Sequence, residues 1–298
     1  MVQEIVWVQI MEGLIVALSC GVYSVNAEGV IYNVTARGVF RNQGIKPVVG
    51  DKVVINPDTL VIESVYPRDT FLKRPPIANI SQIILVFSLK EPEFSYLLAF
   101  KYLTYANMNN IKAKLVLTKT DKDVDEKLIE DIKEVFASVG TETYFVSNKT
   151  KEGLEEVKAL FANEVSCVMG QTGVGKSSLI NAIDPNYERE IGEYSFALGR
   201  GKHRTKEVIL LPYQGGYIAD TPGFSSLDLN LFKEDLAAFF PAFNHLYNKC
   251  YYTDCLHMSE SKCAVKEAIN EGKISPKAYE CYKKLLDEAI FKKERYNR

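Results

Sequence analysis

The chain has 298 residues, of which 47% are hydrophobic and 25% are charged, a composition typical of a folded globular protein. At this length two or three domains are expected. The formal net charge is −2, so bulk charge gives no support for nucleic-acid binding, and any such function must depend on local basic clusters.

The first twenty residues are apolar enough to raise the question of an export signal. Glu4 and Glu12 are their only charged residues, whereas a secretory signal needs a positive amino-terminal region. The apolar run from Leu14 is also shorter than the ~20 residues that span a bilayer. We therefore expect no membrane segment, a cytoplasmic protein, and cysteines that are not paired in disulfides.

Residues 1–75 are predicted to form a β-rich domain. Short apolar segments at 13–18, 29–40, 51–57 and 59–66 are separated by turns that contain glycine, proline or asparagine. Strands at this spacing favour a small barrel, with the OB-fold as a candidate. Such a barrel could bind RNA or could serve only packing and interaction, and the sequence of this segment favours neither function.

A domain boundary is expected at about residue 75. The linker YPRDTFLKRPP carries Arg68, Lys73 and Arg74 and ends in Pro75–Pro76, which exclude a helix or a central strand there. From residue 76 to 227, apolar strand segments alternate with helical ones, which predicts an α/β domain with a parallel sheet. Residues 228–298 are predicted to be a helical third domain.

The segment GQTGVGKS fits the phosphate-loop pattern G-x-x-x-x-G-K-[ST], between a predicted strand and the start of a predicted helix. The glycines let backbone N–H groups face a polyphosphate, while the lysine bridges the β- and γ-phosphates and the serine hydroxyl binds Mg²⁺. We expect the phosphate-binding residues to be Gly170, Gln171, Thr172, Gly173, Val174, Gly175, Lys176, Ser177 and Ser178.

Two further segments at strand ends are typical of guanine recognition. In TKTD the Asp121 carboxylate would accept from guanine N1–H and the N2 amino group, with the Lys119 stem along the base; Thr118 stands where asparagine is usual. In SNK the main-chain N–H would contact guanine O6, so Asn148 in place of the usual alanine is tolerable. The predicted contacts in this element are Ser147, Asn148 and Lys149.

The segment DTPG follows a predicted strand and matches the D-x-x-G element of GTPases. Asp220 would reach Mg²⁺ through water, and the Gly223 N–H would contact the γ-phosphate. The basic stretch GRGKHRTK, residues 199–206, lies where switch I is expected, and its Thr205 would be the second hydroxyl ligand of Mg²⁺.

These elements keep the cyclic order of an ordinary GTPase, but the chain begins at a different point. The base elements come first, and the phosphate loop, switch I and D-x-x-G follow. This order predicts a circularly permuted P-loop GTPase domain. An ATP-using P-loop enzyme is the alternative, which Asp121 and the element order disfavour.

The C-terminal region contains C-x4-C-x-H-x5-C. Three thiolates and one imidazole would complete a tetrahedral, structural Zn²⁺ site with no open position. The predicted ligands are Cys250, Cys255, His257 and Cys263. Cys20, Cys167 and Cys281 lie outside this set and are expected to be packing residues, and His245 is also expected to be structural.

A β-barrel, a permuted GTPase domain with GRGKH before DTPG, and a Cys/His cluster together resemble the bacterial RsgA (YjeQ/YloQ) GTPase family, over essentially the whole chain. The resemblance implies GTP hydrolysis stimulated by the 30S ribosomal subunit, a role in late maturation of that subunit, and 16S rRNA contacts through the outer domains. The family usually reads N-K-x-D and G-K-H-T-T-T, so Thr118, Arg204 and Lys206 depart from it. We expect a monomer.

Phe224, which follows DTPG, cannot orient the attacking water, and the resemblance implies that His203 does so instead. With Lys176 and Thr205, it completes the expected catalytic set. Arg204 is either an arginine finger or part of a basic electrostatic run, and we favour the second. A different functional class remains open, an RNA-binding assembly module whose nucleotide site senses GTP but hydrolyses it weakly.

Overall fold

A computed structural model describes residues 10–42, 44–187, 189, 208–221, 227–243 and 245–290. The chain divides into two compact units. The first draws on Met1–Ser81, Ala159–Val168 and Ile180–Pro222, and the second on Gln82–Lys158, Met169–Leu179 and Gly223–Arg298. Within the described ranges, no helix is long and apolar enough to cross a membrane.

The first unit contains a closed five-stranded barrel. Its strands are β1 (Met11–Ser19), β2 (Val22–Ala27), β3 (Val30–Ala36), β4 (Lys52–Asn56) and β5 (Val61–Val65), with α1 (Val39–Asn42) between β3 and β4. They pair in the order β1-β2-β3-β5-β4, and β4 returns to β1, so no edge is left open. This confirms the predicted OB-like barrel. Its interior is apolar and fully buried, and includes Ile15, Val25, Val34, Val53, Ile55 and Ile62.

The predicted linker is folded against this barrel. Strands β6 (Phe71–Lys73) and β7 (Pro76–Ala78) form a two-stranded antiparallel hairpin, in which Pro76 is tolerated because each strand is an edge. Arg68 donates two hydrogen bonds to the carboxylate of Asp51, which is fully buried: one from Nε to Oδ1 at 2.7 Å and one from Nη2 to Oδ2 at 2.8 Å. Arg68 is therefore an anchor of the fold, which the sequence pattern did not reveal.

The second unit opens with the predicted strand–helix alternation. Strands β8 (Gln82–Ser88), β9 (Lys112–Thr118) and β10 (Thr143–Val146) are parallel in the order β10-β9-β8. The helices α2 (Tyr96–Met108), α3 (Glu126–Ser138) and α4 (Leu154–Ala159) follow them in turn. Every residue of β8 is buried, as its continuous apolar sequence predicts for a strand covered on both faces.

Strands β11 (Val165–Met169), β12 (Ile209–Tyr213) and β13 (Gly216–Asp220) come later in the chain. In the first unit, β11 runs parallel to β13, while β12 is antiparallel to β13 and also pairs with β1 of the barrel. The helix α5 (Lys176–Ile183) follows β11 after the phosphate-loop sequence. The strands that end in the base elements thus precede the phosphate-loop strand, as the permuted order predicts.

The C-terminal part of the second unit is helical. It contains α6 (Lys233–Phe239), a 3-10 turn (Pro241–Phe243), α7 (Ala264–Asn270) and α8 (Pro276–Glu288). An aromatic cluster joins these elements to α2: Phe240 stacks on Phe100 at 5.2 Å between ring centroids, and Tyr282 lies 4.5 Å from Phe243. All four rings are buried, so the C-terminal helices share a core with α2.

Candidate functional site

The phosphate-loop sequence forms a tight turn between β11 and α5. A side chain at Gly170 would clash with the carbonyl oxygen of Val86 in β8, so the backbone can pass there only without a Cβ. Gly175 has φ +94, in the region that favours glycine, and its carbonyl accepts the first helical hydrogen bond of α5 from Leu179 N–H at 2.8 Å. The loop glycines are required by geometry at both ends of the turn.

Lys176 lies inside this turn. Its Nζ donates to the carbonyl oxygens of Gly170 at 2.9 Å and Gln171 at 2.8 Å, and the residue is only 8% exposed. The ammonium group is thus held among main-chain dipoles at the amino-terminal end of α5. Such a position places one positive charge and several backbone groups around a single point, which suits a polyphosphate.

The first base element is tied to the loop by two side chains. The Thr118 hydroxyl at the end of β9 lies 2.6 Å from the carbonyl oxygen of Val174, and Lys119 Nζ donates to the carbonyl oxygen of Gly173 at 2.9 Å. Lys119 also donates to the main-chain oxygen of Glu91. Sequence reasoning missed the Glu91 contact, because no motif marks the loop after β8.

The two base elements are joined by a side-chain hydrogen bond. Ser147 Oγ donates to Asp121 Oδ1 at 2.8 Å, and the same hydroxyl accepts from the N–H groups of Lys149 and Thr150 at 3.2 and 3.0 Å. This bond lowers the pKa of the exposed Asp121 carboxyl below its ordinary value, with smaller contributions from nearby lysines. The carboxylate is therefore held ionised and in a fixed orientation.

Several predicted residues can be placed only in part. Asp220 is the last residue of β13, and the neighbouring Thr221 donates to the carbonyl oxygen of Val168 at 2.7 Å. The predicted switch I residues His203, Arg204 and Thr205, together with Gly223 and Phe224, lie outside the described residues.

The four predicted metal ligands come together in the C-terminal region. His257 Nδ1 lies 3.4, 3.5 and 3.4 Å from the sulfurs of Cys250, Cys255 and Cys263, and all four ligand atoms lie within 4.8 Å of one another. The sulfurs of Cys250 and Cys263 are 3.8 Å apart. A zinc tetrahedron with Zn–S about 2.3 Å and Zn–N about 2.0–2.1 Å has S–S edges of about 3.8 Å and S–N edges of about 3.5 Å. The donor set therefore fits zinc.

The surrounding residues fix this geometry. Glu260 accepts from Leu256 N–H at 2.8 Å and Met258 N–H at 2.7 Å, on either side of His257, whose carbonyl oxygen accepts from the Tyr279 hydroxyl at 2.7 Å. Burial lowers the pKa of His257, which keeps the imidazole neutral and its Nδ1 free to bind a metal. The support from Glu260 carries no sequence signature and was not predicted.

Three other cysteines and His245 lie outside the cluster. Cys167 in β11 and Cys281 in α8 are buried packing residues, as predicted, and burial raises the pKa of Cys281 to about 11. The prediction was wrong for Cys20, which is exposed with φ +49 in the turn between β1 and β2, where there is no core to pack against. His245 is exposed as well.

Sequence comparison identifies two domains of one family. The family described as RsgA GTPase matches residues 65–230, which is more than half of the chain, and the family described as RsgA N-terminal domain matches residues 12–60.

Individual proteins agree with this assignment. The chain is 41% identical over 284 residues to the small ribosomal subunit biogenesis GTPase RsgA of Halalkalibacterium halodurans, covering 93% of this chain and 96% of that protein. It is 41% identical over 282 residues to the protein of the same name in Clostridium acetobutylicum, covering 93% and 97%. The crystal structure of YjeQ from Thermotoga maritima is similar, with a TM-score of 0.83, 33% identity, and coverage of 96% of this chain and 100% of that one.

A second similar crystal structure is that of YloQ, described as a circularly permuted GTPase. It has a TM-score of 0.79 and 33% identity, and the match covers 99% of this chain and 100% of YloQ. The phosphate loop, the base elements ahead of it, and the full-length similarity agree with one another. The chain therefore belongs to the RsgA family of circularly permuted GTPases.

Proposed function

We propose that the chain reads guanine with Asp121 and holds the triphosphate in the loop of residues 170–178. The observation that carries this proposal is that side chains of the first base element are hydrogen-bonded to main-chain carbonyl oxygens of the loop. Ser147 fixes the Asp121 carboxylate, and Lys119 spans from the base element to the Gly173 carbonyl. An ionised, oriented carboxylate pairs with the two N–H donors of guanine, and adenine lacks that donor pair.

The phosphates are the second half of the proposed site. Lys176 donates into the loop and can donate to phosphate oxygens from the same position. Ser177, Thr205 and Asp220 would hold Mg²⁺, which neutralises charge on the β- and γ-phosphates when bound. The complete proposed set is Thr118, Lys119, Asp121, Ser147, Asn148, Lys149, Gly170, Gln171, Thr172, Gly173, Val174, Gly175, Lys176, Ser177, Ser178, Thr205, Asp220 and Gly223.

We propose that His203 orients the water that attacks the γ-phosphate. Phe224 occupies the position after DTPG and has no hydrogen-bonding group. Histidine can accept a proton near neutral pH. His203→Ala should reduce turnover while leaving GDP affinity unchanged, since the histidine would contact water rather than the base. If turnover in the presence of ribosomal subunits is unaffected, this role is wrong.

Nucleotide competition tests the guanine assignment. The unmodified chain should prefer GDP to ADP, and Asp121→Asn should weaken GDP binding and shift preference towards xanthosine diphosphate, whose base presents an oxygen where guanine has an amino group. Lys122→Ala, next in the chain and ion-paired with Glu91, is the matched control. A preference for ADP, or unchanged selectivity in Asp121→Asn, would refute the assignment.

The RsgA relatives are named for biogenesis of the small ribosomal subunit, and we propose the same partner for this chain, with contacts to 16S rRNA during late maturation. A surface next to the Cys/His cluster supports RNA contact: Tyr251 is 68% and Tyr252 44% exposed, with Lys262 Nζ 4.6 Å above the Tyr251 ring. Exposed aromatic rings beside a lysine can stack on unpaired bases and attract phosphates.

Single-turnover GTP hydrolysis with and without purified 30S subunits tests this partner. We expect the subunit to increase the rate severalfold or more, and Tyr251→Ala to weaken that stimulation while leaving basal hydrolysis unchanged. The competing function is an RNA-binding assembly module that senses GTP with little hydrolysis. Slow hydrolysis that the 30S subunit does not stimulate, combined with tight nucleotide-dependent binding to it, would favour the module.

The four clustered ligands fit a structural role for zinc. Because all four donors come from protein side chains, the site leaves no position for a reacting water.

We further propose domain boundaries near residues 75 and 228, and a monomer that acts in the cytoplasm.

A further inference from the structure

The loop between β8 and α2, residues 89–95, lies beside the phosphate loop, although no sequence motif marks it. Lys119 Nζ donates both to the main-chain oxygen of Glu91 in this β8–α2 loop and to that of Gly173 in the phosphate loop. A Cβ on Gly173 would lie 3.9 Å from Pro92 Cδ, an ordinary packing distance. The β8–α2 loop therefore contacts both the first base element and the phosphate loop.

The two residues that meet in this contact have unfavourable backbone conformations. Glu91 has φ +59 and Lys119 has φ +64, in the left-handed region that side chains other than glycine rarely adopt. Such a conformation costs about 1 kcal/mol or more and persists only where the surrounding structure holds it. Further contacts must therefore keep the β8–α2 loop in this shape.

Ser88, the last residue of β8, supplies such a contact. It is only 1% exposed, and its hydroxyl is hydrogen-bonded to the carbonyl oxygen of Pro92 and lies 3.1 Å from that of Lys90. Because residues 90 and 92 flank Glu91, one buried hydroxyl holds the chain on both sides of it. The ion pair between Lys122 and the Glu91 carboxylate is partly exposed to solvent and contributes little by comparison.

The contacts of Lys119 leave it one donor for a ligand. An ammonium group has three N–H donors, and the carbonyl oxygens of Glu91 and Gly173 take two of them. Acceptors from two different loops hold the group in one place before any nucleotide binds. Binding a nucleotide then costs less side-chain entropy than it would with a freely rotating lysine.

We propose that Ser88 is a positioning residue of the nucleotide site. By holding the β8–α2 loop, it places the Glu91 carbonyl oxygen where it fixes the ammonium group of Lys119 for the nucleotide. Ser88 acts through Lys119 and needs no contact with the nucleotide itself. The inference rests on the proposed function, in which Lys119 is part of the guanine nucleotide site.

The test is a double-mutant cycle of Ser88→Ala and Lys119→Met, with GDP affinity measured by calorimetry up to millimolar GDP. Ser88→Ala should weaken GDP binding on the order of fivefold, the effect of one neutral hydrogen bond. Lys119→Met keeps an unbranched stem without the ammonium group and should weaken binding about tenfold or more. The double variant should bind GDP no more weakly than Lys119→Met alone, because the group that Ser88 positions is already absent.

Thr104→Val is the matched control. Thr104 lies in α2, is fully buried, and donates its hydroxyl to the Phe100 carbonyl oxygen at 2.8 Å. The change removes a buried hydroxyl from the same unit without altering a contact of the β8–α2 loop, so GDP affinity should be unchanged. Loss of GDP affinity by the same factor in Ser88→Ala and Thr104→Val would indicate a general loss of stability and would overturn the proposal.

The outcomes separate this inference from the function on which it rests. If the unmodified chain binds no guanine nucleotide, the proposed function fails. If it binds GDP with Asp121-dependent selectivity, but Ser88→Ala keeps full affinity, only the role of Ser88 fails. The same conclusion follows if Ser88→Ala weakens GDP binding equally with and without the Lys119 ammonium group, or if Lys119→Met leaves GDP affinity unchanged.

Discussion

The phosphate loop and the Cys/His cluster each suit a charged ligand, but they are built from different parts of the chain. The loop is shaped by main-chain groups, and its neighbours are distant in sequence, such as Val86 against Gly170 and Thr118 against Val174. The cluster uses four side chains from one short segment, residues 250–263. The loop therefore depends on the sheet that surrounds it, whereas the cluster depends on its own ligands.

Removing one metal ligand should have the largest effect. Cys263→Ser leaves three donors, and zinc binding in small domains contributes about 10 kcal/mol or more to folding. We expect metal analysis to fall from one zinc per chain to nearly none, and the near-UV circular dichroism of the C-terminal aromatic cluster to be lost. GDP affinity should fall far less, because the loop is supported by β8 and β9.

Cys281→Ser is the matched control for this change. Cys281 is buried in α8 of the same region but is not a ligand. Zinc content should stay at one per chain, with only a modest loss of stability. Equal loss of zinc in the two variants would mean that the ligands do not act as a self-contained set.

The second largest effect should come from Gly170→Ala in the phosphate loop, which should weaken GDP binding. In Gly170→Ala the new methyl group meets the Val86 carbonyl oxygen, and a backbone clash of this kind costs about 3 kcal/mol or more. GDP binding, measured by calorimetry, should weaken by about a hundredfold while zinc content is unchanged. Gly140→Ala is the control, because Gly140 also has positive φ (+69) but has open space around it. Retained GDP affinity in Gly170→Ala would show that the loop can move away from β8.

A smaller, pH-dependent effect should follow from the bond between the base elements. Ser147 donates to Asp121 and lowers its pKa. If Asp121 binds guanine as proposed, that binding should be present above this pKa and should be lost as the pH falls through it. Ser147→Ala raises the pKa, so the loss should begin at a higher pH, with affinity at neutral pH reduced roughly tenfold. Ser138→Ala, which removes an ordinary helix hydrogen bond to Val135, is the control for GDP affinity measured across the acid range. Identical pH profiles for Ser147→Ala and the unmodified chain would contradict this role.

The ligand spacing and the loop motif are visible in the sequence, whereas most of the contacts that support them are not. Motif spacing predicted that the four Cys/His donors come together and that the phosphate-loop sequence joins a strand to a helix, because such chemistry requires particular residues at fixed intervals. It did not predict the hydrogen bond from Arg68 to Asp51, the hydrogen bonds that Glu260 accepts beside His257, or the stacking of Phe100 on Phe240. The Arg68–Asp51 and Phe100–Phe240 contacts join residues far apart in the chain, and no sequence motif marks the loop in which Glu260 accepts from the N–H groups of Leu256 and Met258. Cys20 was misplaced for a related reason, since its burial depends on where the β1–β2 turn lies.

The smallest expected effect tests whether the cluster is as self-contained as its ligand spacing suggests. The Tyr279 hydroxyl donates to the His257 carbonyl oxygen at 2.7 Å, so Tyr279→Phe removes a support without touching a ligand. A hydrogen bond of this kind contributes about 1 kcal/mol, which lowers the melting temperature of a small domain by a few degrees. Tyr252→Phe, 44% exposed in the same region, is the control in calorimetry of the zinc-loaded protein. If zinc stays bound and only the melting temperature falls, the four ligands position themselves. Loss of zinc from Tyr279→Phe would instead mean that α8 sets the position of His257, and the metal site would then depend on distant contacts as the phosphate loop does.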